Sequence, residues 1–335
     1  MLAAALAVAA LGGGCSDLTS DRTSNPAADP TTGVDTPPAT STSAPPAPAP
    51  ALPPELARLA DRTTMTDAGR DLFARSRPEL VGKELLGQRC TIPEETNVLG
   101  CYHTDGRIAI LDVADPRLDG MEEVTAAHEL LHAVWDRLDA AERSRLTTLL
   151  RAADAANDDP DLRAKVEAYR RRDPGVVDNE LHSILGTEVA ALVPELEAHY
   201  AAWFADRSTV VVLAQQAQRA FADLEAAIDD LDAQLAELAV EIDRAEEALD
   251  RSRAAIDARS AQLEALREAG RIDEYNAGVD PFNTAVRNYN AAADEQRRRV
   301  DRYNGTVAVR NALGADHDEL VEEITTEAAP VLDAG

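Results

Sequence analysis

The chain has 335 residues, of which 45% are hydrophobic and 28% are charged, so most of it can fold around a core. Acidic residues outnumber basic ones by 61 to 33, and the formal net charge is −28. A charge of this sign repels phosphate backbones and anionic lipid surfaces. It argues against nucleic acid as a partner and against adsorption to a membrane through charge.

The N-terminus is apolar and leads into a cysteine. Residues 1–14 are apolar or small, and three glycines precede Cys15. This pattern resembles the signal of bacterial lipoproteins, in which cleavage before the cysteine leaves a lipid-modified N-terminus. The resemblance implies a lipoprotein-type signal over residues 1–15, lipidation at Cys15, and an extracytoplasmic protein held at the cell membrane by its lipid. An ordinary cleaved signal and an uncleaved anchor are the alternatives, although the stretch is short for a membrane span.

Residues 16–54 are rich in Pro, Ala, Ser, Thr and Asp. Such a segment cannot bury enough apolar surface to form a core, so we expect a disordered, extended tether. Cys90 and Cys101 lie eleven positions apart in a turn-rich region. We predict a disulfide between them, which suits an exported protein, with two buried free thiols as the alternative.

Periodicity and turn residues predict an α+β domain over residues 55–207 that is mainly helical with a small sheet. A strand is expected over residues 106–113, because β-branched and apolar residues follow Asp105-Gly106 there. Thr66 or Asp67 can cap the second part of the first helix, and Asp139 begins a capping box. The predicted helices cover residues 56–76, the segment from Met121 past His132, 140–156, 160–172, 177–192 and 194–206.

Two histidines four positions apart form the most distinctive pattern, the segment His128-Glu129-Leu130-Leu131-His132. On a helix, side chains at this spacing share a face, so both imidazoles can bind one Zn²⁺ while Glu129 serves as general base toward an activated water. The alternative is a surface helix with two solvated histidines. Apolar residues flank the segment at helical spacing, at Val124, Ala127, Leu131 and Val134. We therefore expect a largely buried helix whose polar groups need a partner such as a metal.

A later segment, Asn179-Glu180-Leu181-His182-Ser183, supplies a candidate third ligand. The two segments together resemble the gluzincins, the thermolysin-like and aminopeptidase-like zinc metallopeptidases. Their third ligand is a Glu in an Asn-Glu-x-x-Ser or Asn-Glu-x-x-Ala context on a later helix. The resemblance implies a zincin-like metallopeptidase domain whose zinc is held by His128, His132 and Glu180.

The same helix leaves two choices open. Glu188 and His182 are alternative third ligands, since they lie on other faces of the predicted helix. Thermolysin-like enzymes place an Asp after the serine to orient a ligand histidine, but an isoleucine stands there in this chain. Asp178 or Asp136 is then expected to supply that outer contact.

The C-terminal part changes to a repeat of three and four residues. Apolar residues keep this spacing from Phe221 to Leu266, with weak positions at Ser252 and Arg259, and a second repeat runs from Phe282 to Val307. Gly270 is expected to end the first repeat, with further breakers at residues 278–281 and 314. The pattern predicts an antiparallel coiled-coil hairpin over residues 208–314 and a tail over 315–335. One long helix that dimerises with a second copy is the alternative.

These patterns favour a zinc-dependent metalloendopeptidase anchored at the cell envelope, with a peptide or protein substrate and Glu129 as general base. The alternative is an envelope scaffold that binds a protein partner through its coiled coil and carries a structural or vestigial zinc site. A third hypothesis is a zinc amidase that acts on peptidoglycan. An intact Glu129 favours catalysis, because a structural site does not need a base. A gluzincin also needs a hydrogen-bond donor to the oxyanion that forms at the scissile carbonyl. His182, His199 and Tyr200 are the candidates, and the sequence does not distinguish among them.

Overall fold

A computed structural model of the chain describes residues 48–90 and 98–326. The predicted signal, Cys15, the tether up to residue 47 and residues 327–335 of the predicted tail lie outside the described residues. No helix in the described part of the chain is both long enough and apolar enough to cross a membrane. The chain divides into two compact units. The first contains the described residues up to Arg219 and those from Glu322 onward, and the second is Ala220–Val321.

The first unit is mainly helical. Its helices, in chain order from α1 to α8, are Pro54–Arg62, Asp67–Arg75, Lys83–Arg89, Met121–Asp136, Ala140–Ala156, Pro160–Arg172, Val177–Glu188 and Pro194–Tyr200. Its three short strands are β1 (Glu79–Val81), β2 (Gly100–Tyr102) and β3 (Ile108–Leu111). The strand order is β1-β3-β2, so β3 is central, with β1 parallel and β2 antiparallel to it.

Local sequence signals set most of the helix boundaries. Asp139 accepts hydrogen bonds from the backbone N–H groups of Ala141 and Glu142, which begins α5 where the capping box predicts it. Thr66 caps α2 by accepting from the N–H of Gly69. The predicted single helix over 56–76 is wrong in one respect, since it is two helices. Thr64 has a φ of 54° between them, which helical backbone does not allow.

Several further elements differ from expectation. The predicted strand over 106–113 shortens to β3, and the helices expected to reach residues 192 and 206 end at Glu188 and Tyr200. The turn-rich region around the cysteine pair, for which no helix or strand is predicted, contains α3 and β2. Strands of three residues carry too little alternation to be recognised, because only their tertiary pairing distinguishes them from loop.

Helix α4 lies at the centre of the first unit. All but two of its side chains, those of Glu122 and Asp136, are buried. Its apolar residues join one core with β3, α7 and α8, which includes Leu130, Leu131, Ile110, Leu181, Ile184 and Tyr200. Polar side chains on α4 are therefore held in a dry interior rather than on a surface.

The second unit lies within two long helices, α9 (Arg207–Glu268) and α10 (Ile272–Ile324). They form a hairpin, in which residues progressively later in α9 contact residues progressively earlier in α10. Asp232 accepts from Arg310 at 2.9 Å, and the backbone carbonyl of Ile242 accepts from Gln296 at 3.1 Å. The arms are therefore antiparallel, as the sequence predicts, and Gly270 lies in the turn.

The predicted breakers beyond the turn are wrong. Helix α10 begins at Ile272, contains Pro281, and continues past Gly314 to Ile324, so the tail expected from residue 315 starts inside a helix. Gly278 serves packing instead of ending the helix, because a Cβ there would lie 2.5 Å from Leu263 Cδ2 on the other arm. A single interior glycine costs about 1 kcal/mol, which a helix this long can absorb.

Candidate metal site

The site is built on α4. His128 and His132 are one helical turn apart, with ring centroids separated by 4.8 Å, and Glu129 lies beside them. Their exposed fractions are 0% for His128 and Glu129 and 2% for His132. The alternative of a surface helix with two solvated histidines is excluded, because these side chains have almost no contact with water.

Helix α7 brings a carboxylate to the two imidazoles. Glu180 Oε2 lies 3.7 Å from His128 Nε2 and 3.8 Å from His132 Nε2. The three possible ligand atoms lie within 4.8 Å of one another. Tetrahedral zinc with ligand distances of about 2.0–2.1 Å separates its ligand atoms by about 3.4 Å. Small adjustments of the side chains would bring the three residues onto one metal ion.

The donor atoms also lack other partners. Within the described part of the chain, His128 Nε2, His132 Nε2 and Glu180 Oε2 are buried and form no hydrogen bond. A buried polar atom without a partner destabilises the fold by about 1–3 kcal/mol. A cation at the centre of the three residues would satisfy all of these atoms, so the group fits a metal ion.

Burial shifts the protonation equilibria of the site. It lowers the pKa of His128 to about 3 and raises the pKa of Glu180 to about 7, the latter opposed by the nearby His132. Burial first, and then the charge of Glu180, raise the pKa of Glu129 well above its usual value. The imidazoles are therefore neutral, as metal ligands must be, and a cation would relieve the repulsion between the two carboxylates.

An outer contact orients one of the histidines. Asn179 Oδ1 lies 3.0 Å from His132 Nδ1, and Ser183 Oγ lies 3.4 Å from the same nitrogen. With Nδ1–H donating to Asn179, the lone pair of His132 is on Nε2, which faces Glu180. The Asn-Glu-x-x-Ser segment thus places a possible ligand and two outer contacts on one face of α7.

The sequence predicts Asp178 or Asp136 as the outer contact to a ligand histidine, and this prediction is wrong. Asp178 accepts from Arg151 at 2.7 Å, and Asp136 accepts from the Tyr102 hydroxyl at 3.1 Å. Neither carboxylate bonds to a histidine. The expectation followed the thermolysin-like arrangement, whereas in this fold the residue just before Glu180 faces the same histidine.

The other two candidate ligands are engaged elsewhere. Glu188 Oε2 accepts from Lys165 Nζ at 2.6 Å. His182 Nε2 lies 2.8 Å from His199 Nε2, and the Tyr200 hydroxyl donates to the His182 carbonyl. The structure therefore brings Glu180, and not Glu188 or His182, together with the two α4 histidines. The three oxyanion candidates bond to one another.

Strand β2 packs directly on Glu129. A Cβ at Gly100 would lie 2.6 Å from Thr125 Cγ2 and 3.2 Å from Glu129 Cγ, so only glycine allows this approach. The edge strand β2 and the possible base are thus neighbours.

The sequence reasoning missed Tyr169 on α6. Its side chain is 2% exposed and hydrogen-bonds the Glu180 carboxylate, and the Arg172 guanidinium lies 5.1 Å from its ring centroid. In the sequence, Leu162, Val166 and Tyr169 mark only an apolar helix face. Nothing in that spacing distinguishes a site tyrosine from a core tyrosine.

The predicted disulfide between Cys90 and Cys101 is confirmed. It joins the end of α3 to β2, the strand that packs on Glu129. His103 Nε2 lies 3.4 Å from Cys101 Sγ, so these three residues also form a cluster of possible metal ligands. Because the sulfurs are joined to each other, they are not available as thiolates.

Comparison with known proteins identifies no relative. No protein-family model matches the chain, and neither a curated protein nor a solved structure matches it.

Proposed function

We propose that this protein is a zinc-dependent metallopeptidase of the cell envelope, with His128, His132 and Glu180 as metal ligands and Glu129 as general base. One observation carries the proposal: three unpartnered donor atoms converge in a dry interior beside a further unpartnered carboxylate. A purely structural metal site would be closed by a fourth protein ligand and would have no use for Glu129.

Bound zinc would polarise the scissile carbonyl and make a water molecule a stronger nucleophile at neutral pH. Glu129 would accept a proton from that water and pass it to the leaving amine. Asn179 holds His132 in the required tautomer, and the Tyr169 hydroxyl holds the Glu180 carboxylate. β2 packs on the Glu129 side chain and limits its movement.

The proposed setting rests on the N-terminal sequence. The apolar stretch before Cys15 resembles a lipoprotein signal, and a disulfide suits an oxidising compartment. A lipid on Cys15 would hold the protein at the membrane, and its substrate would be a peptide or protein of the envelope. The hairpin would then serve as an arm that binds a protein partner.

A second candidate function is an envelope scaffold that acts through this hairpin. The observation in its favour is a set of exposed valines on the two arms, Val240, Val300 and Val309, with exposed fractions of 47%, 36% and 54%. In a scaffold, a protein partner would bury these apolar side chains, which interrupt an otherwise polar hairpin surface. Under the scaffold hypothesis, a metal at His128, His132 and Glu180 would only stabilise the fold.

The test compares the full-length protein with Glu129→Gln. We expect one equivalent of zinc in both. Peptide hydrolysis should fall about 10²–10⁴-fold in the variant, because the general base is lost while the ligands remain. Glu195→Gln, an exposed change on α8, is the matched control and should keep full activity. Metal analysis and a peptide library provide the readout, with peptidoglycan as a second substrate.

Three outcomes separate the hypotheses. Zinc with hydrolysis that Glu129→Gln abolishes supports the peptidase. Zinc without hydrolysis of any peptide or peptidoglycan favours the scaffold. Cleavage of peptidoglycan alone favours the amidase. Removal of metal with a chelator should abolish the hydrolysis, and added zinc should restore it.

A further inference from the structure

Helix α6 presents one polar face to the candidate site. Lys165, Tyr169 and Arg172 are spaced by four and three residues, so they share one face of the helix. Lys165 pairs with Glu188 on α7, and Tyr169 hydrogen-bonds Glu180 on the same helix. Arg172 lies over the Tyr169 ring. α6 is thus joined to the ligand-bearing helix at two points.

The opposite face of α6 is in solvent. Arg163, Glu167 and Arg170 are exposed, so α6 is an outer layer of the first unit. Beneath it, the side chains of the candidate ligands and of Glu129 have exposed fractions of 2% or less. A peptide substrate must reach Glu129 to be cleaved. In this arrangement it cannot, so part of the covering structure has to move.

Helix α6 is better suited to move than its neighbours. Breaker sequences flank it on both sides, Asn157-Asp158-Asp159 before and Asp173-Pro174-Gly175 after. Its buried side chains are only Leu162, Val166 and Tyr169, whereas nearly all of α4 is buried. A helix held by few apolar contacts between two breaker segments can tilt without disturbing the core.

The Lys165–Glu188 pair is the strongest polar link between α6 and α7. The Nζ–Oε2 distance is 2.6 Å, and the two side chains are 11% and 6% exposed. Within a dry environment a charged pair holds two elements together in one geometry. When the elements separate, water hydrates both charges, so the opening does not strand either of them. This property suits a closure that must be reversible.

We propose that α6 is a lid over the metal site, that the Lys165–Glu188 ion pair latches it, and that it opens to admit substrate. This inference rests on the proposed function, since it assigns the lid to the same site. We expect metal to leave the site through the same opening, because Tyr169 of α6 lies against the candidate ligand Glu180.

The test measures lid opening without using activity. Lys165→Glu places two carboxylates face to face and should open the latch. We expect a chelator to remove bound zinc about tenfold faster than from the wild-type protein, with faster hydrogen exchange of the α6 amides. Added negative charge near the metal would by itself retain zinc longer, so the lid and a simple charge effect predict opposite signs.

Two variants complete the experiment. Arg163→Glu makes the same charge change on the exposed face of α6 and should leave zinc release and hydrogen exchange unchanged. The double variant Lys165→Glu with Glu188→Lys restores the pair with reversed charges and should return both rates toward wild type. If Lys165→Glu does not fold, Glu188→Gln weakens the same latch, with an expected increase of about threefold in zinc release.

The two proposals fail in different ways. A wild-type protein that binds no zinc overturns the proposed function. Zinc binding with the same release rate and the same α6 exchange in Lys165→Glu and wild type overturns the lid alone. Slower release in Lys165→Glu also overturns the lid and assigns Lys165 an electrostatic role only.

Discussion

Helix α4 and the hairpin helices are all α-helical, yet they place their polar side chains in opposite environments. On α4, two histidines and the carboxylates of Glu123 and Glu129 lie in the interior. On α9 and α10, nearly every charged side chain is in water. Within the described part of the chain, Gln296 is the one polar side chain of the second unit that is buried. Burial of polar groups therefore separates the region that holds the candidate metal site from the region that presents a polar surface.

The two buried carboxylates of α4 sharpen this contrast. Glu123 lies 3.1 Å from Arg62, which neutralises it, and it needs no further partner. Neither carboxylate oxygen of Glu129 has a hydrogen-bond partner in the described part of the chain. Two glutamates of one helix with equal burial are thus distinguished by their neighbours. The uncompensated one is the candidate for function.

The largest effect is expected from the ligand carboxylate. Glu180→Gln removes the negative charge from the proposed ligand set, and we expect zinc affinity to fall about 10³-fold. Glu195→Gln, an exposed change on α8, is the matched control and should retain one equivalent of zinc. Competition with a chromogenic chelator measures both affinities. Equal losses in the two variants would contradict the assignment of Glu180.

A smaller effect is expected from the outer contact. Asn179→Leu removes the acceptor of the His132 Nδ1–H group, so the imidazole loses its fixed tautomer and orientation. Zinc affinity should fall about 10–100-fold, measured by the same competition. Asp178→Asn, next to it and bonded to Arg151, should change zinc affinity by less than about twofold. A reversed order of the two effects would restore the sequence-based expectation for Asp178.

The smallest effects concern packing and compare the two units directly. Leu131 on α4 is fully buried, and Leu131→Ala should lower the free energy of unfolding by about 3 kcal/mol. Leu249 on α9 is only half-buried between the arms, and Leu249→Ala should cost about 1 kcal/mol. Urea unfolding followed by circular dichroism gives both values. Equal costs would show that the hairpin seam is packed as tightly as the core of the first unit.

Much of the architecture is predictable because its causes are local. The capping box at Asp139, the proline at the start of α6 and the spacing around His128 act within one or two helical turns. The breakers in α10 mislead for the complementary reason. Pro281 and Gly278 weaken the helix locally, but packing along two arms of 62 and 53 residues outweighs that local cost.

The candidate site divides along the same line. The sequence by itself determined that His128, Glu129 and His132 lie on one turn of a helix, since the spacing of four matches the helical period. It also predicted the pairing of Cys90 with Cys101 and the two arms of the hairpin, and the structure confirms both. Each of these follows from residues close together in the chain or from a long repeat.

Only the tertiary structure decided which distant residues meet those histidines. Glu180 rather than Glu188 or His182 reaches them, Asn179 rather than Asp178 or Asp136 bonds to His132, and Tyr169 lies against Glu180. These contacts depend on how α4, α6 and α7 pack against one another. Packing is set by the shapes of many side chains at once, and no spacing within one helix encodes which face of another helix it will meet.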